Sequence, residues 1–414
     1  MKLLLLPPYF FPERQSSSLL DHHRYRAFAD AGFEMLLHTP TPTRGITGEV
    51  RNEYKKRRQE KMYNDMMTVI RYPLMGEGKN PVGRAIRYFI GFAKQYIAGR
   101  KHKDADCIFL VSTPPIQGLL GGLLKKRLKV PFVYNLQDIF PDSLVGSGLS
   151  VKGSLLWKIG RRIEDYTYSK ADKIIVISEE FKRNIMRKGV AEEKIEVVYN
   201  WVDEKGVVPV AKEENPLFEE LGISREKFNV VYAGNLGNAQ NINVIINAAK
   251  ELADNQEINF LIFGSGGLKE QYVGEVRACR LENVRFFPLQ PLERVSQVYG
   301  LGDVCVVSCK PGLGGAAMPS KTVSIMSAGR AVAASFDQGE MTSLLEQYNC
   351  GKSVPAGDAN AFAKMLLSLS NDRALCEQMG RNARQLVLKC FTREVGTQRY
   401  VEVIKEAVRK RNGA

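Results

Sequence analysis

The sequence predicts two doubly wound α/β domains in tandem. Its 414 residues are the length of two ordinary domains. Short Val- and Ile-rich runs alternate with helical patterns, and they do so in two blocks, which is the signature of parallel sheets covered by helices. Apolar residues make up 44% and charged residues 25%. Those values sit near globular averages and exclude a disordered or fibrous chain. The length also suffices to bury two cores.

Taken in order, residues 2–6 read as a strand stopped by Pro7 and Pro8. Residues 19–31 follow as an amphipathic helix closed by Gly32, and 34–39 as a second strand. The run 51–61 mixes Lys and Arg with Glu and reads as a solvated helix or loop. Runs 107–112, 131–136, 173–177 and 194–199 have the uninterrupted apolar character of buried parallel strands. The second block repeats the pattern at 229–232, 259–263, 284–286, 304–308 and 331–334. Polar stretches between 203 and 228 mark the boundary, giving domains 1–205 and 206–390, with a last helix over roughly 393–410. No internal repeat or low-complexity tract is present.

Composition narrows the function classes. The apolar run 1–6 is too short for a signal peptide, and no stretch approaches a spanning helix. Seven scattered cysteines (107, 279, 305, 309, 350, 376 and 390) have no paired spacing, which predicts reduced thiols and a cytoplasmic protein. Four histidines, with His22 and His23 adjacent, offer no ligand spacing, so no metal site is expected. The net charge is +14, of which residues 1–205 carry +12 and residues 206–414 only +2. Such asymmetry points to an anionic partner of the first half, a membrane surface or a nucleic acid, the alternative being a solvated basic face with no partner.

In doubly wound folds, ligands meet the loops at the carboxyl ends of strands. The first such loop contains Pro12, Glu13, Arg14, Gln15 and Ser16 ahead of a helix. It reads equally as an anion-attracting helix start or a Pro-rich turn with a Ser cap. A second loop places Gln137 and Asp138 directly after an apolar strand, with Asp142 and Ser143 as cap residues for the next helix. In the second half, Gly234, Asn235, Gly237 and Asn238 leave a strand, and Gly264 leaves the next. Glycines there admit a phosphate, but glycine turns are common. The most informative segment runs from Lys310 through Gly312, Gly314 and Gly315 to Pro319, Ser320 and Lys321. A lysine in a first helical turn opposes the helix dipole unless an anion is present, so this segment reads as a diphosphate cradle.

Together these pieces resemble the retaining glycosyltransferases of family 4, which have the GT-B architecture of two Rossmann-like domains around a cleft. The matching stretches are 9–13, 135–143, 171–178, 200–203, 233–237 with 239–240, and 319–321 with 328–330. Within that family the likeness is to the O-antigen and capsule branch, including N-acetylfucosaminyl transferases. The resemblance implies a nucleotide-sugar donor, UDP-linked, held by Gly234, Asn235, Gly237, Asn238 and Gly264. Gly314, Gly315, Pro319, Ser320, Lys321 and Ser324 would hold its diphosphate and sugar, and Pro288, Leu289 and Gln290 would face the base. It implies a lipid-linked saccharide acceptor near Glu13, Gln15, Ser16, Gln137 and Asp138, and no cofactor or metal. The family's paired glutamates fall on Ala316 and Ser324, and the basic residue after its Gly-Asn-Leu-Gly turn is missing. Asp138 and Lys321 are the expected catalytic residues: front-face retaining transfer needs no enzyme nucleophile, only charge stabilisation on the leaving phosphate and an oriented acceptor.

The basic half then gains a reading. Residues 84–97 have helical spacing with Arg84, Arg87 and Lys94 beside Phe89, Ile90 and Phe92, followed by Arg100, Lys101 and Lys103. This suits either a helix lying in an anionic membrane interface or a domain helix buried in the core. The prediction is a peripheral enzyme on the inner face of the cell membrane. A nucleic-acid-binding protein lacks a basic-aromatic module, and a sugar-nucleotide epimerase lacks histidines at the expected loops.

Overall fold

The computed structural model describes residues 1–13, 18–78, 80–146, 150–314 and 318–413. The chain forms two compact units, one of residues 1–199 with 396–414 and one of residues 200–395. The units part at 199 and 395, within six residues of the expected breaks, and local bonding holds the segments between. Val202 donates its amide to Phe391 O at 3.1 Å and bridges to Thr392. The Arg384 guanidinium donates to Glu204 O at 2.9 Å, and the Glu204 carboxylate accepts from the Arg393 amide at 3.0 Å. Segments 200–207 and 391–395 therefore brace one another inside the second unit.

The first unit holds β1 (Lys2–Leu5), β2 (Glu34–Pro40), β3 (Gln59–Met62), β4 (Met67–Tyr72), β5 (Cys107–Val111), β6 (Phe132–Leu136), β7 (Lys173–Val176) and β8 (Ile195–Val197). Among the described residues these form an eight-stranded sheet in the order β3-β4-β2-β1-β5-β6-β7-β8. Only the β3–β4 pair is antiparallel. Leu3, Leu4 and Leu5 are buried to within 1% because helices cover both faces. The run 51–61 departs from expectation: the helix Gly48–Lys56 passes into β3, and the turn to β4 uses Tyr63, Asn64 and Asp65 at positive φ.

The second unit holds β9 (Phe228–Asn235), β10 (Ile258–Ser265), β11 (Val284–Phe287), β12 (Val304–Ser308), β13 (Ala331–Ser335) and β14 (Gly351–Val354). Their order, β11-β10-β9-β12-β13-β14, is wholly parallel. In both units the order reverses beside the first strand, between β1 and β5 and between β9 and β12. That reversal is where a doubly wound sheet opens a crevice for ligand.

The last helix, Arg393–Asn412, completes the first unit. Tyr400 is wholly buried, stacks edge-on against Phe109, and donates its hydroxyl to Asn135 Oδ1 at 3.0 Å. The Arg24 guanidinium lies over its ring at 4.9 Å.

Candidate active site

The second unit's reversal point is built from the turn after β9, the end of β10, the loop after β12 and the helix Ser320–Ser327. Gly234 has φ +149°, and its register partner across the strands is Gly264. A β-carbon on Gly264 would stand 2.3 Å from Gly234 O, so glycine is required for the two strand ends to close. Leu236 then donates to Ser265 O at 2.8 Å, and Asn235 Nδ2 donates to Gln240 Oε1 at 3.2 Å. Ser308 Oγ donates to Gln240 O at 2.6 Å and Lys310 donates its amide to Ala239 O at 2.9 Å. These bonds lash the β12 loop to the turn carrying Asn238.

Lys321 projects into this frame. Its Nζ lies 3.5 Å from the centroid of the Tyr232 ring. Tyr232 is buried and fixed by donating its hydroxyl to Asn235 O at 2.7 Å. Loss of solvent pushes the Lys321 ammonium down to about 7. No ion pair among the described residues includes it, so its charge is left to the π face of Tyr232. Its helix begins at Pro319, whose side chain caps no amide. The positive helix end and the ammonium therefore lie together, and among the described residues no ion pair neutralises the ammonium.

Other expected donor residues fall into two groups. Asn235, Gly237, Asn238, Pro319 and Ser320 line the same loops, and Pro288, Leu289 and Gln290 follow β11, where Leu289 is 54% exposed. Phe287 before them stacks on Phe263, ring centres 4.7 Å apart. Ser324 instead donates its hydroxyl to Ser320 O at 3.2 Å in its own helix. The Gly314 amide, expected to face a diphosphate, donates to Asp337 Oδ2 at 2.7 Å. Asp337 was not anticipated; an acidic residue just past a strand end was its signal. Gly315 lies outside the described residues.

In the first unit, Gln137 and Asp138 sit where β6 ends. Their amides both donate to the buried Ser112 Oγ, at 3.0 and 3.2 Å. Gln137 Nε2 donates to Asn135 Oδ1 at 2.9 Å, fixing its side chain toward the strand end. The Asp138 carboxylate accepts from Ser143 Oγ at 3.0 Å, and desolvation raises its pKa. Ser112 was missed, although a hydroxyl at the end of β5, the strand beside the reversal, is a readable signal.

Glu13 corrects the expectation. It is 3% exposed, and its carboxylate accepts from the amides of Thr43, Arg44 and Phe10 at 2.6, 2.8 and 3.3 Å. It pins two loops together and presents no oxygen to an acceptor. Gln15 and Ser16 lie outside the described residues.

The helix Pro81–Gly99 inverts the usual pattern. Ile86, Phe89, Ile90 and Ile97 are 48%, 65%, 40% and 50% exposed, whereas Arg87 and Gln95 are buried at 1%. Arg87 donates to Met75 O and Thr43 Oγ1 at 3.1 and 3.0 Å and lies over the Tyr9 ring. Arg87 therefore belongs to the interior, not to a membrane face. Phe92 likewise packs into the core, and Lys94 is turned back to Pro73 O at 2.6 Å. Arg84, Phe89 and Ile90 remain outward. Among the described residues no helix is long and apolar enough to cross a membrane.

Sequence comparison matches residues 22–205 to the model described as Glycosyltransferase Family 4 and residues 213–386 to that described as Glycosyl transferases group 1. The chain is a GT-B glycosyltransferase of family 4. Curated relatives of this transferase include WbjE of Pseudomonas aeruginosa, named a glycosyltransferase. It is 26% identical over 64% of this chain and 66% of its own. WcaI of Escherichia coli K12, named for colanic acid biosynthesis, is 27% identical over 80% of this chain and 82% of its own. The transferase shares its fold with sucrose-phosphate synthase of Thermosynechococcus elongatus (TM-score 0.75, 17% identity, 98% of both chains). It also shares it with Anabaena HepE, solved with UDP (TM-score 0.72, 16% identity, 98% and 100%).

Proposed function

We propose that this glycosyltransferase is a retaining enzyme that moves a sugar from a UDP-linked donor to a lipid-linked saccharide in bacterial surface polysaccharide synthesis. The carrying observation is Lys321: a desolvated ammonium without a carboxylate partner, at an uncapped helix start on the sheet's reversal point. The relatives' names and the UDP complex of HepE support a nucleotide-sugar donor and a polysaccharide pathway. On this reading Lys321 and the helix amides receive the diphosphate, and Gly234 to Asn238 face the donor sugar. Pro288 to Gln290 offer backbone to the uracil. An N-acetylated amino or deoxy sugar is the donor group the resemblance favours.

As the glycosidic bond to phosphate breaks, negative charge grows on the β-phosphate, and Lys321 stabilises it. The departing oxygen takes the acceptor hydroxyl's proton, and attack from the same face retains the anomeric configuration. Asp138, held by Ser143 and by its amide on Ser112, orients that hydroxyl. The enzyme meets its lipid-borne acceptor at an anionic membrane, where Ile86, Phe89 and Ile90 enter the interface and Arg84 faces the head groups.

The test is calorimetric titration of UDP, GDP and ADP into wild-type protein and Lys321→Ala. UDP is expected to bind the wild type best and the variant at least tenfold more weakly. Equal binding of UDP by both proteins overturns the reading.

A further inference from the structure

The first unit carries a second charged feature at the opposite end of its sheet. A cleft of about 620 Å³ opens where β6 and β7 begin, lined by Lys125, Lys126, Lys129, Lys170, Lys173, Lys410 and Arg411. Its one lining carboxylate among the described residues is Asp172. A five-residue strand rises about 17 Å, so this cleft lies well away from Gln137 and Asp138 at the carboxyl end of β6.

Two of the cations are accounted for. Lys125 pairs with Asp172 at 2.7 Å, and Lys173 with Glu196 at 2.7 Å. Lys126, Lys129, Lys170, Lys410 and Arg411 pair with no carboxylate among the described residues. A plain explanation is that lysines near helix ends offset the helix dipoles. Three helices do end here: Ile116–Leu128, Leu155–Lys170 and Arg393–Asn412. Each end supplies roughly half a negative charge, about −1.5 in all, which leaves roughly +3.5 uncompensated. Dipoles alone are too weak to account for the cluster. Lys129 adds a second sign. It takes the left-handed conformation, φ +57°, at a helix end where glycine is the usual choice. A lysine there costs on the order of 1 kcal/mol in backbone strain.

We infer that this cleft binds a phosphate-bearing polyanion, independently of the donor site. Its volume suits a small molecule or a single head group rather than a nucleic-acid duplex. Five cations around one cavity require several charged oxygens, which a multiply phosphorylated group supplies. The inference also gives a use to Lys126, Lys129 and Lys170, part of the +12 excess of the first half.

Two ligand sources share this chemistry, a soluble polyphosphate and an anionic phospholipid head group. The probes are sodium tripolyphosphate, titrated with UDP present in excess, and vesicles of phosphatidylcholine with cardiolipin, whose head group carries two phosphates. The vesicle arm uses the Phe89→Ser/Ile90→Ser protein, so that the helix Pro81–Gly99 contributes least. Wild-type residues in the cleft should bind at least one probe, more weakly as salt rises. The triple variant Lys126→Gln/Lys129→Gln/Lys410→Gln, which keeps most of each aliphatic stem, should bind that probe at least tenfold more weakly while melting at an unchanged temperature. Binding of tripolyphosphate alone assigns a soluble ligand, and binding of vesicles displaced by tripolyphosphate assigns a head group. If neither probe binds, or if the folded triple variant binds as well as its parent, the inference fails.

Discussion

The Lys321 ammonium stands 2.8 Å from where a β-carbon on residue 234 would be, so Gly234 is the space that the lysine occupies. Two residues far apart in sequence thus form one fitted pair, with the Tyr232 ring as the floor beneath the cation.

Gly234→Ala should therefore disable the donor site by displacing Lys321. The φ of +149° strains any side chain, and the new methyl pushes Lys321 aside. UDP affinity should fall at least tenfold. Gly267→Ala is the control, because nothing lies within 4 Å of its added carbon. Parallel titrations of the two variants decide it: equal affinities would remove the fitted pair.

Lys321→Met should separate activity from stability. Turnover should drop on the order of a hundred- to thousandfold, matching about 3 to 4 kcal/mol of lost charge stabilisation. The unliganded protein should melt no lower, since the substitution removes a desolvated amine that holds no ion pair. A large fall in melting temperature would instead make Lys321 a structural residue.

The pH dependence follows from the same lysine. Its pKa is about 7 in the folded, unliganded protein against an ordinary 10.5. A bound diphosphate raises it, so binding takes up a proton. UDP affinity should then weaken as pH rises from 7.5 to 9, by up to tenfold per unit. Lys321→Arg should flatten that slope. The unfolded chain holds this proton up to about 10.5 and the folded one does not, so the lysine's contribution to unliganded stability rises with pH between 7 and 10.5. Calorimetry in buffers of different ionisation enthalpy counts the proton directly.

Membrane binding should divide the residues of Pro81–Gly99 by exposure. Phe89→Ser/Ile90→Ser should weaken binding to anionic vesicles at unchanged melting temperature, leaving only what the basic cleft contributes. Phe92→Ser and Arg87→Ala should instead lower stability, Arg87→Ala by several kcal/mol because a buried guanidinium loses its bonds to Thr43 Oγ1 and Met75 O. Sedimentation with vesicles beside thermal melts reads both effects, and release by Phe92→Ser without destabilisation would reverse the assignment of faces.

Glu13→Ala should cost about 1 to 3 kcal/mol in urea unfolding, because it leaves the amides of Thr43 and Arg44 without their acceptor. The acceptor KM of the folded fraction should change little. A stable variant with a raised KM would restore Glu13 to the acceptor site.

Much of this architecture was legible because buried parallel strands advertise themselves. Runs such as 107–111 and 304–307 are apolar throughout, and their spacing predicts the alternation. The antiparallel β3 escaped because Gln59–Met62 is a polar edge strand with little burial, so its sequence resembles a solvated helix. β14 escaped for the same reason, since Lys352 and Ser353 face outward at the other sheet's edge. Lys321 was legible from an electrostatic conflict within one helix turn. Tyr232 was not, because its role depends on elements brought together in the fold, and Asp337 offered only the signal of an acidic residue just past a strand end. The mistake on Glu13, Arg87 and Phe92 has a common cause. Charge or aromatic character beside a loop suggests exposure, yet long-range backbone partners drew Glu13 and Arg87 inside.

The position of Tyr400 sets an order of assembly during synthesis. The first unit's sheet is translated by residue 199, yet its core stays unplugged until a residue some two hundred positions later leaves the ribosome. At about 5–20 residues per second that gap lasts roughly 10 to 40 s. Throughout it, Phe109, Asn135 and the Arg24 guanidinium lack their contacts to Tyr400. The second unit lies within 200–395 and can close first. A nascent chain stalled after residue 395 should thus hold a protease-resistant second unit and a digestible first one, the reverse of their order along the gene.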